Sequence, residues 1–78
     1  MKRQDKPIRY EQHAKNRMRQ RGISEDQVSR TVRAPDRRGK ARREGAERLV
    51  KKLSKSRSII VIAEEAPKFI RIVSVYKV

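Results

Sequence analysis

The sequence predicts a single α+β domain in which two N-terminal helices pack on an antiparallel sheet of three or four strands. Two observations predict this fold class. Apolar residues recur at helical spacing up to Pro35, and after Asp36 they follow the shorter period of β-strands. A run of helices followed by a run of strands is the element order of an α+β domain with its helices on one face of the sheet. The 78 residues are enough for one small domain with a thin core.

The first helix is predicted from Tyr10 onward. Tyr10, Ala14 and Met18 recur on one helical face. Gly22 is a typical residue for the position just after the last helical turn. Arginines precede it, and cations are favourable near the C-terminal end of a helix.

The second helix has clearer boundary signals. Ser24 is a preferred N-cap, and Gln27 three residues later completes a capping box. Ile23 and Val28 stand at the positions of a hydrophobic staple. Pro35 ends the helix, because the residue before a proline is driven out of the α region. We therefore predict two short helices joined by a single turn.

Four strands are predicted after the helices. Their ranges are 39–44, 46–53, 57–64 and 69–78. The third is apolar on both faces, which is typical of a strand at the centre of a sheet. Regular alternation along the fourth places Arg71 and Lys77 on the face opposite Tyr76. These three side chains converge only if a bulge or the sheet edge intervenes.

The charge distribution indicates a protein that binds a polyanion. The formal net charge is +14, and only 35% of the residues are hydrophobic. Between Arg37 and Arg57 ten basic residues stand against two acidic ones, and the apolar run SIIVIA follows directly. We therefore expect the cations on a folded sheet rather than in a disordered tail, and nucleic acid is the expected ligand. A basic surface kept for solubility and one attracted to membranes are the alternatives.

Several functional classes are excluded or disfavoured by what the sequence lacks. It contains no cysteine, so disulfides and thiolate metal sites are excluded, and the single histidine, His13, has no partner to complete a metal site. We expect neither metal nor other cofactor. The basic N-terminus leads to no apolar run, so a cytoplasmic protein without membrane association is expected. Residues 1–9 lack periodicity and are predicted to form a flexible basic arm, which leaves one domain over residues 10–78.

Four segments resemble a known family. Residues 13–24 read HAKNRMRQRGIS, which is similar to the helix–turn–helix opening of a widespread family of small domains related to the RelE/ParE toxins. The pattern there is His-Ala-x-x-Arg-Met-x-x-Arg-Gly-Ile-Ser. Residues 34–36 match the Pro-Asp end of the following helix. Residues 57–62 (RSIIVI) and 70–77 (IRIVSVYK) resemble the last two strands of RelE-type ribonucleases.

The resemblance implies a RelE-like fold and a toxin-like activity. Characterised relatives cut mRNA without a metal ion, often on the ribosome, and are silenced by an antitoxin. We therefore expect a metal-independent endoribonuclease of the toxin–antitoxin type that acts on mRNA, alone or on the ribosome. Its partners would be RNA and an acidic antitoxin protein that supplies the negative charge this chain lacks.

The resemblance and the basic block together give ten candidate site residues. The candidate catalytic residues are Arg57, Tyr76, His13 and Lys52. The candidate RNA-binding residues are Arg48, Lys51, Arg71, Lys77, Arg42 and Arg43.

Metal-free RNA cleavage explains why these residue types are of interest. A base must take the proton of the 2′-hydroxyl, cations must stabilise the phosphorane, and an acid must protonate the leaving 5′-oxygen. The planar guanidinium of Arg57, aided by Arg48, suits the phosphate. His13 or Lys52 would serve as the base, and Tyr76 as acid, base or stacking platform.

Each candidate also has a structural interpretation, and two other functions remain open. The lysines and arginines can be solvated cations on strands, and His13 can be an ordinary helix-face residue. A non-catalytic RNA- or ribosome-binding module on the same fold would use the cations for affinity alone. A ParE-type toxin would instead inhibit a protein, so the fold by itself does not decide whether the chain is an enzyme.

Overall fold

The computed structural model describes residues 6–78 and contains two helices and five strands. The elements in chain order are β1 (Ile8–Tyr10), α1 (Gln12–Arg21), α2 (Glu25–Arg33), β2 (Arg37–Lys40), β3 (Ala46–Lys52), β4 (Ser58–Glu65) and β5 (Ile70–Lys77). The five strands form one sheet in the order β1-β5-β4-β3-β2. β1 is parallel to β5, and the other neighbours are antiparallel. The α+β class is confirmed, but the sheet is mixed and five-stranded rather than antiparallel with three or four strands.

The additional strand is β1, which the sequence did not predict. Its register places Ile8 opposite Ile70 and Tyr10 opposite Ile72. The Ile70 amide also donates to the Pro7 carbonyl at 2.9 Å. Residues 8 and 9 therefore belong to the sheet rather than to a flexible arm, and α1 begins at Gln12 rather than at Tyr10. The part of the predicted arm over residues 1–5 lies outside the described residues.

Local signals in the sequence set the helix boundaries. α1 ends at Gly22, which adopts a φ of 65° that is accessible to glycine at little cost. The predicted capping box of α2 is present: Ser24 Oγ accepts from the Gln27 amide at 3.1 Å, and Gln27 Oε1 accepts from the Ser24 amide at 3.0 Å. Within residues 6–78, neither helix is long and apolar enough to cross a membrane.

Both helices cover the same face of the sheet and form the core with it. The core residues are Ala14, Met18, Ile23, Val28 and Val32 from the helical half and Leu49, Ile59, Val61, Ala63, Ile70, Ile72 and Val75 from the strands. We call this side the helix face and the other side the open face. β4 lies between β3 and β5, as its apolar sequence predicted. Its open-face residues Ile60 and Ile62 are only half-buried.

A bulge in β5 determines which of its side chains reach the open face. Ile62 pairs with Ser74 but Ala63 pairs with Ile72, so Val73 is the extra residue. A bulge shifts the alternation by one position, and paired residues share a face. The open face therefore receives Arg71, opposite Glu64, and Tyr76, opposite Ile60. Lys77 stays on the helix face opposite Ile59. Arg71 and Lys77 were both expected on the face opposite Tyr76. Because of the bulge, Arg71 lies on the same face as Tyr76.

Candidate nucleic-acid interface

A groove of about 580 Å³ lies at the open face, and His13 from α1 contributes to its lining. We call it the His13 groove. Its other lining residues come from β2, the β2–β3 loop, β3, β4 and β5, and they divide into a cationic rim and a largely apolar floor. This size is in the range of ligand-binding clefts.

The rim is built by the end of β2, the loop that follows and one residue of β3. It consists of Lys40, Arg42, Arg43 and Arg48, all of which are exposed. The Ala41 amide donates to the Ala46 carbonyl and the Ala46 amide to the Arg43 carbonyl, each at 3.1 Å, so the loop is closed by backbone hydrogen bonds. Gly45 has a φ of 82°, which a tight turn of this kind requires and a bulkier residue adopts only with strain. The local fold thus holds four cations around one opening.

A single carboxylate binds two arginines beside the groove. Glu64 Oε2 lies 3.1 Å from Arg43 Nε, and Glu64 Oε1 lies 3.3 Å from Arg71 Nη1. The Glu64 side chain is 21% exposed, so it is more shielded from water than either arginine. Glu64 therefore restricts Arg43 to the rim, although the pair also offsets part of the positive charge there.

The floor runs across three strands. Arg48 pairs with Ile62, and Ile62 pairs with Ser74, which places these residues in one transverse row on the open face. With about 4.8 Å between neighbouring strands, the Cα atoms of Arg48 and Ser74 lie roughly 10 Å apart. Val73 contributes a half-buried apolar wall, and Tyr76 stands exposed in the adjacent row. The groove thus has cations on one side and a phenol on the other.

His13 reaches the groove because of the way α1 starts. β1 pairs with β5 only over Ile70–Ile72, and α1 follows β1 after a single residue, so the first turn of α1 lies beside the rest of β5. Ala14 is fully buried in the core, whereas His13 next to it is exposed and lines the groove. The edge position of β1 is therefore what brings an imidazole to the open face.

Of the four candidate catalytic residues, the structure brings His13 and Tyr76 together and leaves Arg57 and Lys52 outside the groove. Arg57 is exposed in the β3–β4 loop, where its carbonyl accepts from the Leu53 amide at 2.9 Å. Tyr76 pairs with Ile60, and Arg57 precedes Ile60 by three residues and lies just outside β4, so it is displaced from Tyr76 by about 10 Å at roughly 3.3 Å per residue.

Lys52 lines a second depression on the open face, of about 430 Å³. Asp36, Arg37, Val50 and Ser58 complete its lining. Lys52 and Arg48 are both at even positions of β3, so they share a face, and Arg37 pairs with Val50 on that face as well. A row of cations therefore extends from the His13 groove along the open face.

Three candidate RNA-binding residues have other surroundings. Lys51 Nζ donates to the Ala34 carbonyl at 2.9 Å, where a cation is favourable at the C-terminal end of α2. Lys77 is on the helix face. Arg71 is on the open face outside the groove lining, where its guanidinium lies 5.6 Å from the centroid of the Phe69 ring. By contrast, Arg42, Arg43 and Arg48 all line the groove.

Several residues of these two depressions were not predicted from the sequence, among them Lys40, Arg37 and Ser74. Lys40 and Arg37 belong to the basic block. The first strand after the helices was predicted over residues 39–44, whereas β2 spans Arg37–Lys40, so the positions of these two side chains beside the depressions were not predicted. Ser74 was missed because regular alternation would put it on the helix face. Among residues 6–78, no three His, Cys, Asp or Glu side chains are close enough together to hold a metal ion.

A comparison with protein families gives one match. The model described as "Domain of unknown function (DUF4258)" matches residues 10–77. No curated protein and no solved structure matches the chain.

Proposed function

The chain belongs to the DUF4258 family, and we propose that it is a metal-independent endoribonuclease of the toxin–antitoxin type that acts on mRNA, alone or on the ribosome. The observation that carries this proposal is the convergence of an imidazole, a phenol and four cations around the His13 groove. The resemblance of residues 13–24 to the opening of RelE/ParE-related domains supports the same activity.

The proposed reaction is attack of a ribose 2′-oxygen on the neighbouring phosphorus. The new bond closes a 2′,3′-cyclic phosphate, the bond from phosphorus to the 5′-oxygen breaks, and the downstream fragment leaves with a 5′-hydroxyl. Neutral His13 accepts the 2′-hydroxyl proton, and the phenol of Tyr76 donates a proton to the leaving oxygen. Water then returns both groups to their starting protonation states, so no other reactant is consumed.

The rim cations would stabilise the charge that develops on the phosphorane. Arg48 is the most direct candidate, because it lies in the same transverse row as the floor of the groove. Preorganised donors of this kind contribute about 2.7–4 kcal/mol each in well-studied enzymes. In this proposal Glu64 is a positioning residue, because it restricts Arg43 rather than contacting RNA.

The open face is suited to single-stranded RNA. Tyr76 offers an exposed aromatic ring on which a base can stack, and Arg37 and Lys52 extend the positive surface beyond the groove. If about six phosphates are neutralised on a single strand, the logarithm of the binding constant should fall against the logarithm of salt concentration with a slope near −4.

An acidic antitoxin would cover the same face. The chain carries a formal charge of +14, and Ile60 and Ile62 on the open face remain half-buried in the chain on its own. A partner with acidic residues around an apolar centre would neutralise the cations and complete the burial of these side chains. It would thereby block the groove.

The direct test is cleavage by the purified protein. Free mRNA is incubated with protein in EDTA, and ribosome-bound mRNA is incubated with protein in magnesium buffer, since ribosomes need that ion. We expect fragments with 2′,3′-cyclic phosphate and 5′-hydroxyl ends in at least one arm. The activity should be lost with Tyr76→Phe and kept with Lys77→Ala, a cation of the helix face. An absence of cleavage in both arms would refute the proposal.

A non-catalytic RNA- or ribosome-binding module is the second candidate. The observation in its favour is that two of the four candidate catalytic residues, Arg57 and Lys52, lie outside the groove, while cations continue along the face. Binding with the salt dependence given above, but without turnover, would favour this function. Inhibition of DNA supercoiling without RNA binding would instead favour a ParE-type toxin.

A further inference from the structure

The floor of the His13 groove contains a buried side-chain hydroxyl that makes no hydrogen bond within the described residues. Ser74 is 5% exposed, and its hydroxyl has no hydrogen-bond partner in the protein. Within residues 6–78 it is the one buried side-chain polar atom in this state. A buried hydroxyl without a partner destabilises a folded chain, because it has lost water and gained nothing in return. A buried group of this kind calls for a specific explanation, and a bound ligand that supplies the partner is one.

The β5 bulge is what places Ser74 on the open face, beside the groove. In regular alternation from Ile70 and Ile72, Ser74 would join the core and Val75 would face the opposite side. Because Val73 is the extra residue, Val75 enters the core and Ser74 pairs with Ile62 on the open face. Bulges beside functional sites commonly redirect a side chain in this way.

The surroundings of Ser74 match the shape and chemistry of a nucleobase. Ile62 and Val73 supply apolar walls for the flat faces of the ring, and Tyr76 supplies an aromatic surface next to them. The rim arginine Arg48 stands across β4, roughly 10 Å from Ser74 between Cα atoms. A base in the floor can therefore place its own phosphate at the cationic rim.

We propose that RNA binding opens the Ser74 hydroxyl to the groove, where it recognises the polar edge of one unstacked nucleobase. A serine hydroxyl both donates and accepts, so it can pair with a carbonyl, a ring nitrogen or an amino group of the base. The bound base supplies the partner that the free protein lacks. The inference rests on the proposed function only in that RNA is the ligand, and it concerns recognition rather than cleavage.

The test separates recognition from cleavage by using RNA that cannot be cut. Single-stranded 2′-O-methyl hexanucleotides of uridine, cytidine or adenosine are titrated into the full chain, together with versions in which each residue in turn is abasic. The wild-type protein should bind the best of the three sequences about tenfold more tightly than its weakest abasic version. Ser74→Ala should weaken binding of the best sequence by about 5- to 10-fold, which corresponds to the loss of one hydrogen bond. The same variant should weaken binding of the weakest abasic version by less than about twofold.

A second measurement excludes a merely structural role. Because the hydroxyl is unpaired in the free protein, Ser74→Ala should keep or raise the melting temperature while it weakens RNA binding. Ser56→Ala, an exposed serine in the β3–β4 loop, is the matched control and should change neither property. A lower melting temperature for Ser74→Ala, or equal losses on intact and abasic RNA, would overturn the proposal. A protein that binds as described but cuts no RNA would refute the nuclease and leave the Ser74 inference standing.

Discussion

The two faces of the sheet use the same kinds of residue in opposite ways. On the helix face, Lys51 donates to the end of α2, and Leu49 beside it is 1% exposed in the core. On the open face, the neighbouring Arg48 lines a groove and Ile62 is only half-buried. Successive residues of β3 thus alternate between the helix face, where they stabilise the fold, and the open face, where they line the candidate site. The position of a cation relative to the helices, rather than its presence in a basic block, separates the two roles.

Replacing His13 with alanine should have the largest effect on the open-face function. General acid–base catalysis contributes about 10²- to 10⁴-fold, so we expect a loss of RNA cleavage in that range. Since His13 is exposed, the melting temperature should hardly change. Lys15→Ala, an exposed residue of the same helix, is the control and should keep its activity. A His13→Ala enzyme that cleaves at the wild-type rate would place the chemistry elsewhere.

A pair of core and surface truncations should separate the faces by stability. Leu49→Ala removes a buried side chain and should lower the free energy of unfolding by about 2–5 kcal/mol. Ile62→Ala, one strand away on the open face, should cost clearly less because its side chain is already in contact with water. Urea unfolding of both variants gives the comparison. Equal losses would mean that the open face is covered by protein in solution, as in a dimer.

The contrast between Arg48 and Lys51 sharpens the same comparison for charge. Arg48→Ala should lower the rate of cleavage by about 10²- to 10³-fold if its guanidinium stabilises the phosphorane. Lys51→Met should keep the cleavage rate but lower the melting temperature slightly, because the C-terminal end of α2 loses a cation. Single-turnover kinetics and thermal unfolding measure the two effects. If Lys51→Met lowered the cleavage rate and Arg48→Ala lowered only the melting temperature, the roles proposed for the two faces would be contradicted.

The smallest expected effect is a change in stability with pH that depends on Tyr10, which packs against the core. Burial raises the pKa of the Tyr10 phenol above 10.0, the Glu25 carboxylate adds to this shift, and the Arg33 guanidinium opposes it. The folded state therefore holds this proton more tightly than the unfolded chain does. The resulting stability is complete below about pH 10 and is lost as the pH rises through the folded pKa.

Tyr10→Phe removes that titration. We expect the wild-type protein to lose more stability between about pH 9 and pH 11 than the variant does, because the two chains differ only in the Tyr10 hydroxyl. Chemical unfolding at several pH values measures the difference. Parallel curves would show that Tyr10 titrates alike in the folded and unfolded chain.

The elements that the sequence predicted are those whose signals are local. The capping box of α2 lies within four residues, and β4 is apolar on both faces wherever it is placed. β1 was missed because three residues are too few to show alternation, and its parallel pairing with β5 joins distant parts of the chain. The adjacent apolar residues Ile72 and Val73 were the one sign of the bulge, since they break the alternation.

The candidate site was predictable in its residue types but not in its arrangement. His13, Tyr76 and Arg48 meet in the groove, whereas Arg57 stands outside it. The role of Arg57 came from its place at the start of a strand, and sequence alone does not give the register that sets its distance from Tyr76. Ser74 required the bulge to be known. Burial, register and strand pairing depend on the whole sheet, so they could not be predicted from short stretches of the sequence.

The central claim is that RNA occupies the open face at the His13 groove. The most direct measurement is the change in backbone amide NMR shifts when a non-cleavable 2′-O-methyl hexanucleotide is added to the protein. We expect the largest shifts at Arg42, Arg48, Ser74 and Tyr76, with Val28 and Val32 of α2 unchanged. Shifts concentrated on α2, or confined to the β3–β4 loop around Arg57, would contradict it.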